Sequence, residues 1–329
     1  MRLIKHNRTK SLITGYASAL IAAFLFGSVS SIAKPVLETA NPFLLSSLVY
    51  LVSGLVFTPI IYSRYKATSF LSETHPTSFS RKNLSLVILT SLLGATVAPA
   101  MFFFGLEHTT AVDSSLLANG ETFFSIIFAI LFFKEKLKPL GYIASLMVLA
   151  GVTVITTNLQ FHDSLLEMNL GNFFVLGATI LWGFDNNICR IITTHMKIIK
   201  LVQLKSLIGG TVLFTFTIFI LHVTPLTLTS KELPQIILLG SAGFGASLYF
   251  FLISMIRIGI VKSVLILSLS SVFGLVFASL LLHEKISIQQ IIAIVIMIGG
   301  IYLISIESNE DSAKVTGNRA MKNRNLKDN

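Results

Sequence analysis

Charged residues are scarce in this chain: lysine, arginine, aspartate and glutamate make up 12% of its 329 residues. Soluble domains carry about a quarter charged residues, so the composition excludes an ordinary soluble domain. Cysteine occurs once, at Cys189, which excludes an intramolecular disulfide. The sequence has no Gly-Lys-Ser/Thr phosphate loop, no zinc-spaced histidine and cysteine cluster and no Gly-x-Ser-x-Gly elbow. We therefore expect no metal, no other cofactor and no catalytic residues.

Apolar runs of about twenty residues dominate the rest of the chain. In a helix that rises about 1.5 Å per residue, such a run matches a hydrocarbon core of about 30 Å. The runs lack the alternation of barrel strands, so they predict an all-α membrane protein with ten transmembrane helices. The predicted spans are 12–33, 43–63, 84–106, 112–133, 139–158, 169–190, 201–222, 234–256, 263–282 and 286–306.

The basic residues indicate how these helices are oriented, because cytoplasmic connections retain an excess of lysine and arginine. With the N-terminus inside, 22 of the 25 basic residues fall in cytoplasmic segments, and only Lys34, Lys231 and Lys285 fall outside. This predicts a multi-pass protein of the cell membrane with cytoplasmic N- and C-termini. The net charge of +10 then reflects topology and contact with the anionic leaflet of the lipid bilayer, and it does not predict nucleic-acid binding.

The chain repeats itself. At an offset of 156 residues Gly15 aligns with Gly171, Phe26 with Trp182 and Lys34 with Arg190, and at an offset of 149 Val112 aligns with Val261 and Phe124 with Phe273. Each half has five predicted helices, an odd number, so the second half should cross the membrane in the opposite sense. Inverted-topology repeats of this kind are typical of alternating-access transporters with a site near the midplane. The predicted segments are an N-terminal cytoplasmic segment 1–11, a first repeat 12–158, a linker 159–168, a second repeat 169–306 and a disordered cytoplasmic tail 307–329.

Three stretches carry a family resemblance: AAFLFGSVSSIAKP at 22–35, the region from LEHTTAVDSSLLANGETFF to AGVTVIT at 106–156, and its counterpart from VKSVLILSLSSVFG to IYLIS at 261–305. At these residues the chain resembles the drug/metabolite transporter superfamily, and within it the EamA type. The resemblance implies ten helices and secondary transport, often the export of small metabolites, without implying one substrate. The halves differ functionally, because Glu121 of the first half aligns with Ser270 of the second.

Ionisable groups inside the membrane are the first candidates for a transport site, since they are costly unless paired or wetted. Glu121 lies about 14 Å from the outer end of its predicted helix at 1.5 Å per residue, near the bilayer centre. Burial and a nearby cation move the proton affinity of a carboxylate in opposite directions, so Glu121 is a candidate for proton coupling. The alternative is a structural glutamate held by Asn119, by serines or by a helix end.

A second polar cluster lies in the sixth predicted helix. Helical spacing places Trp182, Asp185 and Asn186 on one face, and Asn187 elsewhere. We expect Asp185 to lie near Arg190 and Lys205. The pair that it forms is either a gate that opens during transport or a static link between helices. The predicted transport pathway therefore consists of Glu121, Asn119, Trp182, Asp185 and Asn186.

By the same pseudosymmetry, Lys34, Glu107 and Asp113 should gather at the outer ends of the first, third and fourth helices. Such a cluster is expected if it forms an outer gate that corresponds to an inner gate at Arg190 and Lys205. The alternative is that these charged side chains only extend to the lipid headgroups, which would give the same pattern in the sequence. Glu135 and Glu284 follow the fourth and ninth helices, where capping or a role in setting the topology is expected.

These features favour a secondary transporter that moves a small metabolite across the cytoplasmic membrane by alternating access. An amino acid or another small polar or amphipathic solute fits the mixed charges. Export fits the resemblance, and Glu121 favours proton coupling or exchange with protons. The alternative is a membrane-embedded lipid-modifying enzyme, which would need carboxylates or histidines gathered at one membrane face. A homodimer is compatible with these features.

Overall fold

The computed structural model describes residues 2–68, 81–133, 169–223, 232–296 and 298–300, together with some positions between 139 and 154 and with 302–303. The regular structure in these residues is helical throughout. Two π-helical segments join consecutive helices: Leu93–Val97 continues Arg81–Leu92 into Ala98–Glu107, and Leu239–Ala246 continues Leu233–Leu238 into Ser247–Ile258. The helices are α1 (Arg2–Gly27), α2 (Val29–Leu37), α3 (Pro42–Thr68), α4 (Arg81–Leu92), α5 (Ala98–Glu107), α6 (Ala111–Leu117), α7 (Gly120–Phe133), α8 (Leu170–Ile192), α9 (Ile198–Phe219), α10 (Leu233–Leu238), α11 (Ser247–Ile258), α12 (Ile260–Leu267), α13 (Ser270–Leu282) and α14 (Ile288–Gly300).

Seven helical stretches of the described residues are long and apolar enough to cross a membrane. An eighth, α8, has 23 residues and so measures about 34 Å, but it carries the polar cluster around Asp185. The chain is thus a multi-pass, all-helical membrane protein in its described part. The fifth predicted span, 139–158, lies largely outside the described residues, as do the linker and the tail, and the count of ten helices stays a prediction. The seven stretches are Ser11–Leu37, Pro42–Ser63, Asn83–Glu107, Ala111–Phe132, Ile198–Phe219, Leu233–Ile258 and Ile260–Leu282.

Side-chain caps start several of these helices. The Asn41 side chain accepts from the backbone N–H groups of Phe43 and Leu44 at the start of α3. Thr110 accepts from the Asp113 N–H at the start of α6, and Asn169 caps α8 in the same way. These bonds satisfy N–H groups that have no partner within the helix, which matters more in lipid than in water.

The outward surfaces of the spans are apolar. Large side chains such as Leu20, Phe24, Leu55, Leu131 and Phe219 are exposed on the molecule. An exposed apolar surface of this extent marks a membrane contact. Two charged side chains of the bundle, Asp185 and Lys205, lie inside.

The helix interruptions follow the internal repeat. The gap between α6 and α7 lies 150 residues before the gap between α12 and α13. The two π-helical segments likewise interrupt the third and eighth predicted helices. Discontinuous helices in corresponding positions of two halves are typical of transporter binding sites.

The two halves pack directly against each other. Helix α3 packs on α9, α1 on α11, and both α5 and α7 on α8. Small residues allow close approach: a Cβ atom on Gly105 would overlap the carbonyl of Gly171, and one on Gly171 would overlap that of Gly105. The interface between the halves therefore runs through the centre of the described bundle.

Candidate functional site

A cavity of about 50 Å³ lies between the two halves, and we call it the central cavity. Its volume is enough for a few water molecules. Helices from both halves supply its walls, including both π-helical segments. The lining residues are Phe26, Tyr50, Gly94, Glu121, Trp182, Asp185, Asn186, Lys205, Gly243, Phe244, Ser247, Leu248, Phe251 and Leu267.

A buried ion pair forms part of this wall. The Lys205 ammonium of α9 donates to the Asp185 carboxylate of α8, and both side chains are 2% exposed. The thiol of Cys189, one turn after Asp185, donates to the same carboxylate at 3.7 Å and lies 3.8 Å from the Lys205 nitrogen. Each charge of such a buried pair stabilises the other, because removing one partner leaves the second buried without a counter-ion.

Glu121 faces the cavity from the first turn of α7, where the helix dipole favours a carboxylate. Its Oε1 atom accepts a hydrogen bond of 2.7 Å from the amide of Asn186, which also donates to Ser125 at 3.1 Å. The cation nearest in the lining, Lys205, is already paired with Asp185. Glu121 is thus held by a neutral amide and not by a counter-ion of the lining.

The first π-helical segment brings a backbone carbonyl to the cavity. The Gly94 oxygen accepts hydrogen bonds from the Tyr50 hydroxyl and the Trp182 indole, each at 3.1 Å. Pro99, which follows the segment, has no N–H to donate to the preceding turn. A Cβ atom at position 94 would overlap the Asp185 carboxylate, so the close approach requires glycine here.

Five aromatic side chains form a further part of the wall, and we call them the aromatic box: Phe26, Tyr50, Trp182, Phe244 and Phe251. The rings of Phe26 and Trp182 meet edge to face with centroids 5.8 Å apart. Those of Tyr50 and Phe244 are tilted by 49° at 5.2 Å. The central cavity thus combines charged groups with an aromatic wall.

A second, larger cavity of about 380 Å³ lies beside α3, α5 and α9. Its lining, which includes Phe43, Met101, Phe104 and Phe216, is apolar apart from Thr96. The Thr96 hydroxyl already donates to the carbonyls of the Ser91 and Gly209 backbone. This cavity offers no charged group to a polar solute, so the central cavity is the better candidate site.

At one end of the bundle Lys34 caps another helix. Its ammonium donates to the backbone carbonyls of Leu106, Glu107 and Thr109 at 2.8, 3.0 and 2.6 Å. A lysine there satisfies the unpaired carbonyls at the C-terminus of α5. The Glu107 side chain itself lies 3.7 Å from the ring nitrogen of His108. Lys34 and Glu107 are therefore neighbours, as predicted, through the backbone of Glu107.

Next to this cap, a side chain from each half forms hydrogen bonds at the start of a helix in the other half. The Glu284 carboxylate, in the connection before α14, accepts from the N–H groups of Ala111 and Val112 at 3.0 and 2.9 Å. In return the Asp113 carboxylate of α6 accepts from the side-chain amide of Gln290 at 2.8 Å. We call these five residues the cross-capping cluster. The predicted capping role of Glu284 is confirmed, although the capped helix belongs to the other half, and Glu135 lies outside the described residues.

Gln290 also belongs to the start of its own helix. Its side-chain oxygen accepts from the Ser287 N–H at 2.8 Å, while the Ser287 hydroxyl accepts from the Gln290 N–H at 3.2 Å. This reciprocal arrangement is a capping box. The start of α14 is therefore ordered by the same side chain that ties it to α6.

The model of the EamA-like transporter family matches residues 13–157 and again 169–306. The chain belongs to the EamA-like transporter family. The resemblance seen in the sequence is confirmed, and so is the presence of two copies of the family unit.

An uncharacterized transporter of Methanothermobacter thermautotrophicus is 28% identical to this chain, and the match covers 88% of this chain and 85% of the relative. The uncharacterized transporter YetK of Bacillus subtilis is 21% identical, and the match covers 92% of this chain and 90% of the relative. The pseudopaline exporter CntI of Pseudomonas aeruginosa is 24% identical over 46% of this chain and 49% of its own length. A solved crystal structure superposes with a TM-score of 0.65 at 19% identity, covering 89% of this chain and 97% of that one, which shows the fold alone.

The structure gathers most, but not all, of the predicted pathway residues. Glu121, Trp182, Asp185 and Asn186 all line the central cavity, whereas Asn119 is buried in the turn between α6 and α7 and is not in the lining. The predicted proximity of Asp185 and Lys205 is confirmed, and Lys205 belongs to the cavity wall and not to an outlying cluster.

The other predicted gate residues lie away from the cavity. Arg190 is partly buried five residues after Asp185, which places it about 140° around α8 at 100° per residue. Sequence reasoning missed Tyr50, Gly94, Phe244 and Ser247 as cavity residues. Among the described residues no three histidine, cysteine, aspartate or glutamate side chains gather as metal ligands would.

Proposed function

We propose that this EamA-family protein is a secondary transporter that carries a small polar or amphipathic solute across the cytoplasmic membrane by alternating access of its two halves. The observation that carries the proposal is the central cavity, a charged and aromatic pocket between two halves in a membrane protein of a transporter family. An intramembrane ionisable residue marks a functional site by default, and here three of them line one cavity. Glu121, Trp182, Asp185, Asn186 and Lys205 form the proposed solute site, with Asn119 supporting the turn before Glu121.

The proposed cycle opens the central cavity to one side at a time. In the structure the cavity is too small for a metabolite, so it must widen when solute binds. We assign the outer gate to the cross-capping cluster together with Lys34 and Glu107, and the cytoplasmic gate to Arg190. This places both chain termini in the cytoplasm, in accordance with the distribution of basic residues.

Energy coupling is assigned to Glu121. A proton carried by this carboxylate would move with one charge, and one charge crossing 100 mV is worth about 2.3 kcal/mol, or roughly a fortyfold gradient. A single titrating group is therefore sufficient to drive accumulation. We propose export as the direction, supported by a relative that is named an exporter.

The test is solute flux in proteoliposomes that contain the purified protein. A transporter takes up labelled metabolites in a saturable way and exchanges internal for external solute. The competing reading, a lipid-modifying enzyme, predicts turnover of the liposome lipids without solute flux. Lipid turnover in the absence of any flux across a metabolite library would replace the proposal.

A further inference from the structure

We infer that the solute carries an ammonium group, which binds in the central cavity against Glu121 and the aromatic box. The inference rests on the proposed function and deepens it, because it names the chemical class that the same site selects. Two independent features of the wall support it: the balance of charges and the aromatic composition.

The charges that line the cavity do not cancel. Asp185 and Lys205 neutralise each other across the contact between α8 and α9, and both are 2% exposed. Glu121 remains, and its hydrogen-bond partner Asn186 is neutral. With all three groups ionised the lining carries one negative charge. A cation entering the cavity compensates this charge, whereas an anion adds to it, and uncompensated charge is costly in the interior of a membrane protein.

Lys205 is poorly placed to attract an anion instead. An anionic solute would have to displace the Asp185 carboxylate from the ammonium, leaving Asp185 buried and unpaired. Removing one partner from a buried pair is strongly unfavourable. The Cys189 thiol, which donates to Asp185, is too weak a donor to take the place of the lysine.

The aromatic box favours the same class of solute. Rings attract a cation held over their faces, within about 6 Å of the centroid, and ammonium ligands are recognised in this way. The five rings come from four helices and one π-helical segment, so that they surround the cavity and do not line a single wall. Phe26 meets both Trp182 and Phe244 edge to face. A carboxylate within such a box selects an organic ammonium group over a bare alcohol of the same size.

Three probes of one chain length test the inference: butylammonium, butanol and butyrate. Trp182 is the sole tryptophan of the chain, so its fluorescence in the detergent-purified full-length protein reports binding at the box. We expect a saturable change with butylammonium at a concentration at least tenfold below any response to butanol or butyrate. Equal responses to the three probes, or a response to butyrate alone, would overturn the inference.

Variants locate the interaction. E121Q should weaken butylammonium binding at least tenfold, and E121D, which keeps the charge, should retain the preference for the cation. E38Q removes an exposed carboxylate at the end of α2 and serves as the matched control, with binding unchanged. If E121Q elutes as aggregate, the E121D preference and the probe series of the unaltered protein decide the matter alone.

The outcomes separate this inference from the proposed function. Binding of butylammonium with no flux of any solute would keep the ammonium site and remove the transporter. Flux of a neutral or anionic metabolite by a preparation that does not bind butylammonium would keep the transporter proposal and rule out the ammonium site.

Discussion

Substitution of a single residue has the largest effect in this molecule where a charged side chain is buried away from both water and lipid. Asp185 and Lys205 are buried together, and their pairing links α8 to α9 within the second half. Glu121 lies across the interface on α7 of the first half. The three charges thus place an ion pair beside a carboxylate that has no counter-ion in the lining, and removing the one or the other has different consequences.

Replacing Lys205 by methionine keeps the length of the side chain and leaves Asp185 without its partner. We expect K205M to lose about 3–5 kcal/mol of stability, as for other broken buried pairs. The measurement is the apparent melting temperature in detergent. The double variant K205M/D185N removes both charges and should recover most of the loss. A single variant no less stable than the double one would contradict the assigned pairing.

Gly94 is the second residue with a sharp expectation. A Cβ atom there overlaps the Asp185 carboxylate, so G94A should displace the ion pair and lower both melting temperature and flux, at a cost of about 1–3 kcal/mol for overpacking. At Gly177 an added Cβ meets only the flexible end of Met101, which makes G177A the matched control. Equal effects of the two substitutions would show that the contact with Asp185 is unimportant.

The starts of two helices are held by side chains from the opposite half of the molecule. The start of α6 in the first half is capped by Glu284 of the second, and α14 is tied back to α6 through Gln290 and Asp113. Both connections cross between the halves at one end of the bundle. Separating the halves there requires that α6 and α14 exchange these partners for others.

Glutamine at position 284 keeps the shape of the side chain but replaces one capping oxygen by an NH₂ group. We expect E284Q to lose about 1 kcal/mol of stability, a usual value for a helix cap. The cavity should also open more readily to the outside. In the background C189A/S247C, whose single cysteine lines the cavity, an impermeant thiol reagent should react faster from outside when E284Q is added. E38Q is the control, and an unchanged labelling rate would remove the cluster from the gate.

The sequence predicts helices better than it predicts their partners. Apolar runs place the spans Ser11–Leu37, Pro42–Ser63 and Ile260–Leu282 within a few residues, because the length of a span is set by the bilayer. The polar face of α8 follows from helical spacing alone. The partner of Glu284 does not, since it lies more than 170 residues away in the other half, and the π-helical segment at Gly94 has no periodic signal. Tyr50 and Phe244 look like ordinary packing residues until the helices are assembled.

At the scale of the whole molecule, the two copies of the family unit enclose the cavity between them. Glu121 of the first copy bonds Asn186 of the second, and Trp182 of the second bonds the Gly94 carbonyl of the first. Any motion of one half relative to the other therefore changes the cavity itself. Alternating access requires such a coupling between motion and site.

We expect Glu121 to couple this motion to the transport of protons. In proteoliposomes an imposed pH gradient should drive solute accumulation by the unaltered protein. We expect this because Glu121 would take up a proton when the cavity opens to one side and release it when the cavity opens to the other. The charged groups that face it in the cavity are Asp185 and Lys205, and they pair with each other. E121Q cannot release or take up a proton, so gradient-driven accumulation should vanish, while solute exchange continues once the solute concentration is raised to offset the weaker binding. Accumulation that persists in E121Q would assign the coupling to another group.

Access to the central cavity from the two sides of the membrane tests the account most directly. Ser247 lines the cavity, and the variant C189A/S247C carries a single cysteine there. An impermeant thiol reagent should label this variant both from outside in right-side-out vesicles and from the cytoplasmic side in inside-out vesicles. Labelling from one side only, or from neither, in vesicles that still transport solute would contradict a cavity that opens alternately to both.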